Sequence, residues 1–236
     1  IDEKKLTSDQ RRLLAEAQAL VVWNTTASEY LAKQYGPHET EGGTLVEASP
    51  GTGDERYGWL DPELAKSAAA RVASELGAIY PKQAATFAEN AESFGEELDA
   101  LDRQIANILA PFEGAQVLAD DRRIEPFLSR YGIEIAGVMT EHPWRGVSRE
   151  EFFRFVDFMD ANPDKVMVIS EQHAFLSDPE LDLDLPTMVT LDPIRLGYVG
   201  PGHYQNQLRR NALMLAAALA AKGTSGQAAS ADPGTE

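Results

Sequence analysis

The stretch from Lys82 to Leu109 constrains the fold more than any other part of this chain. Apolar residues recur there at steps of three and four, namely Phe87, Ala91, Phe94, Leu98, Leu101, Ile105 and Ile108. At 3.6 residues per turn, this spacing predicts one amphipathic helix of about eight turns. A preceding helix is predicted to begin at Asp61-Pro62 and to break at Tyr80-Pro81. Asp61 can cap free backbone N–H groups, and Pro62 has the φ angle that the first helical position needs.

Short apolar runs in the second half predict a parallel β-sheet. Four buried strands are predicted, at Val117–Ala119, Ile133–Met139, Val166–Ile169 and Met188–Leu191. Helical patterns alternate with them at Asp121–Arg130, at Arg149–Met159 after the cap Ser148, and at His203–Ala221, where Leu208, Leu213 and Leu215 are available for burial. Alternation of strands and helices is typical of an α/β fold with helices on both faces of the sheet.

The first half carries fewer strands. Helices are predicted at Ser8–Ala17 and Ser28–Gln34, and strands at Ala19–Trp23 and Thr44–Glu47. Two strands are too few for an independent sheet. We expect this half either to lean on the rest of the chain or to be completed by a strand–helix–strand portion before Ile1.

Charge and cysteine content exclude several classes of function. The formal net charge is −17, from 38 acidic and 21 basic residues, so the surface repels phosphate backbones and argues against nucleic-acid binding. The chain has no cysteine, which excludes disulfides, thiolate zinc sites and thiol catalysis. No apolar run reaches the roughly 18 residues of a membrane-spanning helix. The chain opens with Ile1, which suggests that upstream sequence has been removed, and residues 223–236 are predicted to be a disordered tail.

Acidic residues follow three of the predicted strands. Asp120 and Asp121 come after Val117–Ala119, Glu171 after the strand that begins at Val166, and Asp192 after Met188–Leu191. Ligands of open α/β sheets bind at the carboxyl ends of the strands, so these side chains suggest a cation site, or equally a set of helix caps. His173 lies near one strand end and is a further candidate. The other histidines, His38, His142 and His203, are assigned to a loop, a turn and a helix start.

Three motifs, in this order, carry a family resemblance. They are Tyr57-Gly58-Trp59-Leu60-Asp61-Pro62, Ser129-Arg130-Tyr131-Gly132-Ile133 and Thr190-Leu191-Asp192-Pro193. The set resembles the metal-type solute-binding proteins of ABC importers, the zinc/manganese, ZnuA/TroA-like cluster, over nearly the whole ordered chain. The resemblance implies an α/β fold of two lobes with parallel sheets flanked by helices, connected by one long rigid helix. The lobes would be 1–81 and 111–222, with 82–110 as the linking helix. An ordinary long helix inside one domain is the alternative for that segment.

The resemblance also implies a metal site. Its last acidic ligand falls on Asp192, its third on Asp121, and its second, usually His, on Tyr57, while the first would lie before Ile1. Asp120, Glu171 and His173 are candidates to lie beside these ligands. An all-oxygen set suits Mn²⁺, Ca²⁺ or ferric iron better than Zn²⁺, because zinc favours imidazole and thiolate. Tyr57 either ligates or packs at the rim of the cleft. The expected cofactor is a divalent or trivalent ion of Mn, Zn or Fe.

The function that the resemblance implies is delivery of a metal ion to an ABC importer. The partners would be its permease and ATPase, and the chain would be a monomer in the periplasm or another extracytoplasmic location, lipid-anchored in some settings. A second hypothesis keeps the scaffold with a degenerate site, which binds a metal chelate or serves as an accessory protein. A third is a small α/β enzyme that uses the strand-end carboxylates. The sequence argues against an enzyme, because no nucleophile–base pair emerges from it.

Overall fold

The structure is a computed structural model that describes residues 7–9, 12, 16–23, 44–49, 57–141, 147–170, 187–194 and 200–229, with side chains up to residue 222. It divides into two compact units, Ile1–Ala100 and Leu101–Glu236. The predicted helix Ser28–Gln34 lies outside the described residues, as do His38, His142, Glu171 and His173.

The described part of the first unit contains a two-stranded parallel sheet and long helices. Strand β1 is Ala19–Val22 and strand β2 is Thr44–Glu47, and Val22 pairs with Glu47 at the end of the ladder. Helix α1 is Pro62–Ile79 and helix α2 is Ala84–Leu109. These bounds confirm the two strands predicted in the first half and the two helices predicted on either side of Tyr80-Pro81. Of the predicted helix Ser8–Ala17, the residues Ser8, Asp9, Arg12 and Glu16 are described and helical.

Local chemistry explains how α1 starts and how it meets α2. The Asp61 carboxylate accepts the N–H of Glu63 at 2.8 Å and so caps α1, as predicted. A short 3-10 turn at Pro81–Gln83 separates the helices. The Nζ atom of Lys66 on α1 donates to both carboxylate oxygens of Asp99 on α2, at 2.7 and 2.8 Å. The boundary between the two units falls inside α2, after Ala100.

The second unit is built on a four-stranded parallel sheet. Its strands are β3 (Gln116–Ala119), β4 (Glu134–Val138), β5 (Val166–Ser170) and β6 (Met188–Leu191), in the order β4-β3-β5-β6. Its helices are α3 (Glu125–Arg130), α4 (Arg149–Asp160) and α5 (His203–Ala229). All pairings are parallel, which confirms the predicted α/β class.

Apolar packing holds the helices on this sheet. Strand β5 is buried at all five positions, as expected for a central parallel strand. One cluster joins Leu118, Met167 and Ile169 of the sheet to Phe155 and Met159 of α4. Helix α4 begins with the predicted cap, because Ser148 Oγ accepts the Glu151 N–H while the Glu151 carboxylate accepts the Ser148 N–H.

Helix α5 differs from the prediction in two respects. It continues to Ala229 rather than ending at Ala221, so its last turns occupy part of the predicted tail. Adding a turn to an existing helix costs less than nucleating one, which favours such an extension. Leu208 and Leu215 are buried as predicted, but Leu213 is 53% exposed, so its predicted burial is wrong. Five residues after Leu208, at 100° per residue, Leu213 lies well off the buried face.

A glycine permits α4 to approach the edge strand β4. The pairing of β3 with β4 shifts at Val117/Leu118, which places Gly137 opposite Leu118. A Cβ atom at Gly137 would lie 2.9 Å from Cδ1 of Phe158 on α4, closer than carbon atoms tolerate. Phe158 packs against the cluster between the sheet and α4, so a new Cβ would force its ring to shift.

We therefore predict that Gly137→Ala lowers the free energy of unfolding by about 1–3 kcal/mol, as overpacking does. The matched control is Gly95→Ala in the interior of α2, where the new Cβ would make an ordinary 3.5 Å contact with the Lys66 stem. That control should gain about 0.5–1 kcal/mol, because alanine suits a helix better than glycine. Urea unfolding of both variants measures the two signs, and equal effects would contradict the steric argument.

A clamp ties the end of α2 to α3. The carboxylate of Asp102 accepts hydrogen bonds from Arg130, at 3.1 Å to Nε and 2.6 Å to Nη2, and from the Tyr131 hydroxyl at 3.0 Å. Burial by itself raises the pKa of Asp102, but the hydrogen bonds from Arg130 and Tyr131 and the charges of Arg130 and Arg103 outweigh it. The pKa of Asp102 is therefore lowered from its ordinary value of 3.8.

A lowered carboxyl pKa stabilises the fold above the unfolded-state pKa, and that stabilisation disappears as the pH falls through the folded-state value. We predict that Asp102→Asn costs about 1 kcal/mol at neutral pH. The difference from the unmodified chain should persist down to about pH 4 and vanish below it. Urea unfolding between pH 2 and 7 tests this, with the exposed Asp157→Asn on α4 as the control. A difference that stayed constant with pH would rule out the charge as its cause.

Candidate metal site

The sheet topology gathers the predicted strand-end residues along one edge. Strands β3, β5 and β6 are consecutive neighbours and parallel, so their carboxyl ends lie side by side. Asp120 and Asp121 follow β3, Ser170 ends β5, and Asp192 follows β6. This is the edge where open α/β sheets bind ligands.

Asp120 joins two strands rather than facing solvent. It is 2% exposed, and its Oδ2 accepts the Ser170 N–H at 2.7 Å and the Ser170 hydroxyl at 2.6 Å. Its Oδ1 accepts the N–H of Asp121 at 2.9 Å. Oδ2 thus holds the end of β5 against the end of β3, while Oδ1 accepts from the residue that follows Asp120.

Asp121 forms a buried ion pair with Arg123. Asp121 is 1% exposed and Arg123 is 3% exposed. The Nε of Arg123 donates to both oxygens of Asp121, at 2.9 and 2.8 Å, and Nη2 donates to Oδ2. Asp121 Oδ1 also accepts the backbone N–H of Arg123 at 2.8 Å, which caps the 3-10 turn Arg122–Ile124 before α3. The sequence left two roles open for the Asp121 carboxylate, a cation ligand and a helix cap. The structure shows the cap.

Arg123 completes a four-residue group, which we call the strand-end network: Asp120, Asp121, Arg123 and Ser170. Arg123 Nη2 donates to Ser170 Oγ at 2.8 Å, and the same hydroxyl donates to Asp120. Among the described residues, every buried side-chain nitrogen and oxygen has a hydrogen-bond partner. The network borders a cavity of about 10 Å³, together with Leu191 and Pro193. That space suits one water at most.

Asp192 is held by α5 and by its own turn. Its backbone N–H donates to Oδ1 of Asn211 at 3.0 Å, and Asn211 Nδ2 donates to its carbonyl at 2.8 Å. Its Oδ1 accepts the N–H of Ile194 at 2.7 Å. Ile194 has φ = 50°, a conformation that a β-branched residue adopts at a cost of about 1–3 kcal/mol. The residue after the conspicuous Asp192-Pro193 pair is therefore strained.

Tyr57 belongs to the first unit and is strained as well. Its φ is 63°, in the left-handed region, and it precedes the 3-10 turn Gly58–Leu60. Its ring packs edge-on to Trp59 with centroids 5.2 Å apart, and Trp59 packs in the same manner on Trp23 at 5.6 Å. Trp23 directly follows β1, so this aromatic group stands at a strand end too.

Within the described ranges, His, Cys, Asp and Glu form no group of three that could hold a metal ion. Glu171 and His173, which directly follow Ser170, lie outside those ranges. The described His203 starts α5, where its N–H donates to the Gly200 carbonyl at 3.1 Å, in line with the helix-start assignment. Among the described residues, the carboxylates at this edge are those of Asp120, Asp121 and Asp192.

Sequence reasoning missed Arg123, Ser170 and Asn211. The signal for Arg123 was present, since a cation two residues after a candidate carboxylate can fold back on it. Ser170 and Asn211 gave no such signal, because each contacts a residue far away in sequence, at separations of 50 and 19 residues.

A family model described as "ZnuA: Zinc-uptake complex component A periplasmic" matches residues 5–212. That range includes the three motifs and the strand-end network. The chain belongs to the ZnuA family. The resemblance to metal-type solute-binding proteins is thereby confirmed.

Among curated ZnuA-family relatives is the high-affinity zinc uptake system protein ZnuA of Brucella abortus (strain 2308), which is 38% identical over 85 residues. The alignment covers 36% of this chain and 25% of the relative, so the match spans about a quarter of that protein's length. The corresponding protein of Paracoccus denitrificans (strain Pd 1222) is 29% identical over 85 residues, covering 36% of this chain and 26% of its own length.

Solved structures support the same fold. FpvC of Pseudomonas aeruginosa in complex with Mn²⁺ superposes with a TM-score of 0.77 at 17% identity, covering 93% of this chain and 85% of its own. A Zn(II)-bound AdcAII variant of Streptococcus pneumoniae gives a TM-score of 0.76 at 17% identity, covering 91% and 85%. At such identities the likeness concerns the α/β fold of this ZnuA-family chain and not its ligand.

The strand-end network predicts a cost for removing its hydroxyl. Ser170→Ala takes an acceptor from Arg123 and a donor from Asp120, so we expect a loss of about 1–3 kcal/mol in the free energy of unfolding. Ser129→Ala on α3, where the serine is exposed, is the control and should stay within about 0.5 kcal/mol of the unmodified chain. Chemical denaturation compares the two variants. Indistinguishable midpoints would show that the network adds little to stability.

Proposed function

We propose that this ZnuA-family chain is the extracytoplasmic solute-binding component of an ABC importer and that its cargo is a metal ion, Mn, Zn or Fe. The observation that carries the proposal is the family match over residues 5–212. Supporting it, the candidate donors Asp121 and Asp192 follow strands β3 and β6 of one sheet, on either side of β5, at the edge where such folds bind ligands.

Backbone strain at one proposed ligand and close to another also supports a functional role. Among the described residues, Tyr57 and Ile194 are the two non-glycine residues with positive φ. One is a proposed ligand and the other closes the turn of a proposed ligand, Asp192. Strained conformations persist where the surrounding structure enforces them, and they concentrate at ligand sites.

The proposed donors are the oxygens of Tyr57, Asp121 and Asp192, with Asp120, Glu171 and His173 as neighbours. Hard oxygen donors favour Mn²⁺ or ferric iron, whereas Zn²⁺ would call for imidazole. In this scheme Asp121 serves as a ligand only after exchanging its contacts with Arg123. Asp120 keeps its role of joining β3 to β5.

The proposed role is transport rather than catalysis, with a permease and an ATPase as partners and a monomeric chain as the carrier. We place it in the periplasm or another extracytoplasmic location; lipid anchoring would be one form of attachment. In the part of the chain that the structure describes, no helix is both long and apolar enough to cross a bilayer.

A second candidate function is favoured by the Asp121–Arg123 pair. The same scaffold would bind a metal chelate, or act as an accessory protein, instead of carrying a bare ion. Arg123 already supplies a positive charge to Asp121. A site whose carboxylate is neutralised in this way has less attraction for a free cation.

Metal binding should raise thermal stability. A ligand at a hundredfold excess over its Kd adds about 2.7 kcal/mol to the free energy of unfolding. We predict a higher Tm with at least one of Mn²⁺, Zn²⁺, Fe³⁺ and Ca²⁺, and a smaller increase in Asp192→Asn. The control is Asp164→Asn, whose side chain is 79% exposed in the second unit.

No shift with any of the four ions would count against a bare-metal cargo. Native mass spectrometry of protein purified from its source separates the two candidates. A single retained metal atom supports the first, and a retained organic ligand supports the second.

A further inference from the structure

Arg123 is the one cation among the four residues of the strand-end network. Its side chain is 3% exposed, and its guanidinium is shared between the carboxylate of Asp121 and the hydroxyl of Ser170. The neighbouring Arg122 differs sharply: its side chain is 47% exposed and pairs with Glu141 and Glu125. Two adjacent arginines thus have opposite environments, which makes them a natural test pair.

The contacts of Arg123 occupy the oxygens that a metal would need. Asp121 Oδ1 accepts from Nε and from the backbone N–H of Arg123, and Oδ2 accepts from Nε and Nη2. A carboxylate has about four lone-pair positions, and these contacts use all of them. A cation can therefore reach Asp121 only by displacing the guanidinium.

Electrostatic repulsion also opposes the binding of a cation beside Arg123. An arginine left beside an incoming cation would repel it, because like charges at contact distance disfavour each other in a site away from water. The cavity beside the network, of about 10 Å³, does not hold both a metal ion and the guanidinium. Either the metal or Arg123 occupies the position next to Asp121.

We propose that Arg123 is a built-in competitor of the cargo cation for Asp121 and thereby lowers the affinity of the site. The inference rests on the proposed function, since it presumes a metal cargo. A metal ion engages Asp121 only in the fraction of molecules whose Arg123 has withdrawn, and its apparent affinity falls by that fraction.

The test compares Arg123→Gln, Arg123→Lys and Arg122→Gln in the full chain. Gln removes the charge but can still donate to Ser170, while Lys keeps the charge without the two-pronged contact. Isothermal titration with MnCl₂ and with ZnCl₂ measures affinity, and circular dichroism confirms folding. We expect Arg123→Gln to bind Mn²⁺ about tenfold or more tightly than the unmodified chain, a difference of about 1.4 kcal/mol. Arg123→Lys and Arg122→Gln should stay within about threefold, because both keep a cation at position 123.

The outcomes separate this inference from the proposed function. Tighter binding by Arg123→Gln than by an unmodified chain that also binds supports the inference. Binding by Arg123→Gln alone contradicts a bare-metal cargo and with it the inference about that cargo. Equal binding by both chains overturns the inference and leaves the cargo proposal standing, whereas no binding by either overturns both. Tighter binding by Arg122→Gln to the same degree also overturns it, since net charge would then be the cause.

A crystal structure of the unmodified chain grown with MnCl₂ gives a second measurement if Arg123→Gln fails to fold. Manganese bound to Asp121 with Arg123 withdrawn supports the inference, whereas manganese elsewhere with the ion pair intact overturns it, because the cargo then does not use Asp121. Manganese on Asp121 while Arg123 keeps its contacts overturns it, and so does the absence of bound manganese when Arg123 has withdrawn.

Discussion

The edge of the sheet that would meet a ligand depends on the buried ion pair between Asp121 and Arg123. Removing either charge from water is costly, and the cost is offset only because hydrogen bonds surround both groups. The guanidinium also bonds Ser170, whose hydroxyl donates to Asp120, so one cation organises the ends of β3 and β5. The Asp121 carboxylate also accepts the backbone N–H of Arg123 and so caps the turn that leads into α3. The strand ends, the helix start and the candidate donors thus share one group of side chains.

Patterns that repeat along the chain made most of the fold predictable. The apolar stripe of Lys82–Leu109 produces α2, and the short apolar runs produce four strands whose bounds shift by at most a residue or two. These signals are local, because periodicity and capping act over a few residues. The end of α5 was missed since it depends on propagation of an existing helix rather than on an apolar stripe.

The sequence predicted where the candidate site residues lie, but not which partners their side chains contact. Strand ends located Asp121 and Asp192 correctly at one edge, because parallel topology alone decides that. Whether a carboxylate faces a ligand or an internal partner is settled by contacts across the fold, such as that of Asp192 with Asn211 on α5. The sequence left capping and ligation open for Asp121, and the folded chain adds a third role, the ion pair with Arg123.

In a scaffold of this family, a cation within the chain can relieve the repulsion between buried carboxylates that a bound metal ion would otherwise relieve. Two adjacent carboxylates at the end of β3 would repel each other in a site away from water, and a bound metal would relieve that repulsion. Here Arg123 relieves it within the chain, while Ser170 and the Asp121 N–H satisfy Asp120. The buried carboxylates of the second unit thus have partners within the chain, and the fold alone does not decide the ligand. In the proposed role, stability and cargo binding would be separate properties of this chain, and Arg123 is the residue that would separate them.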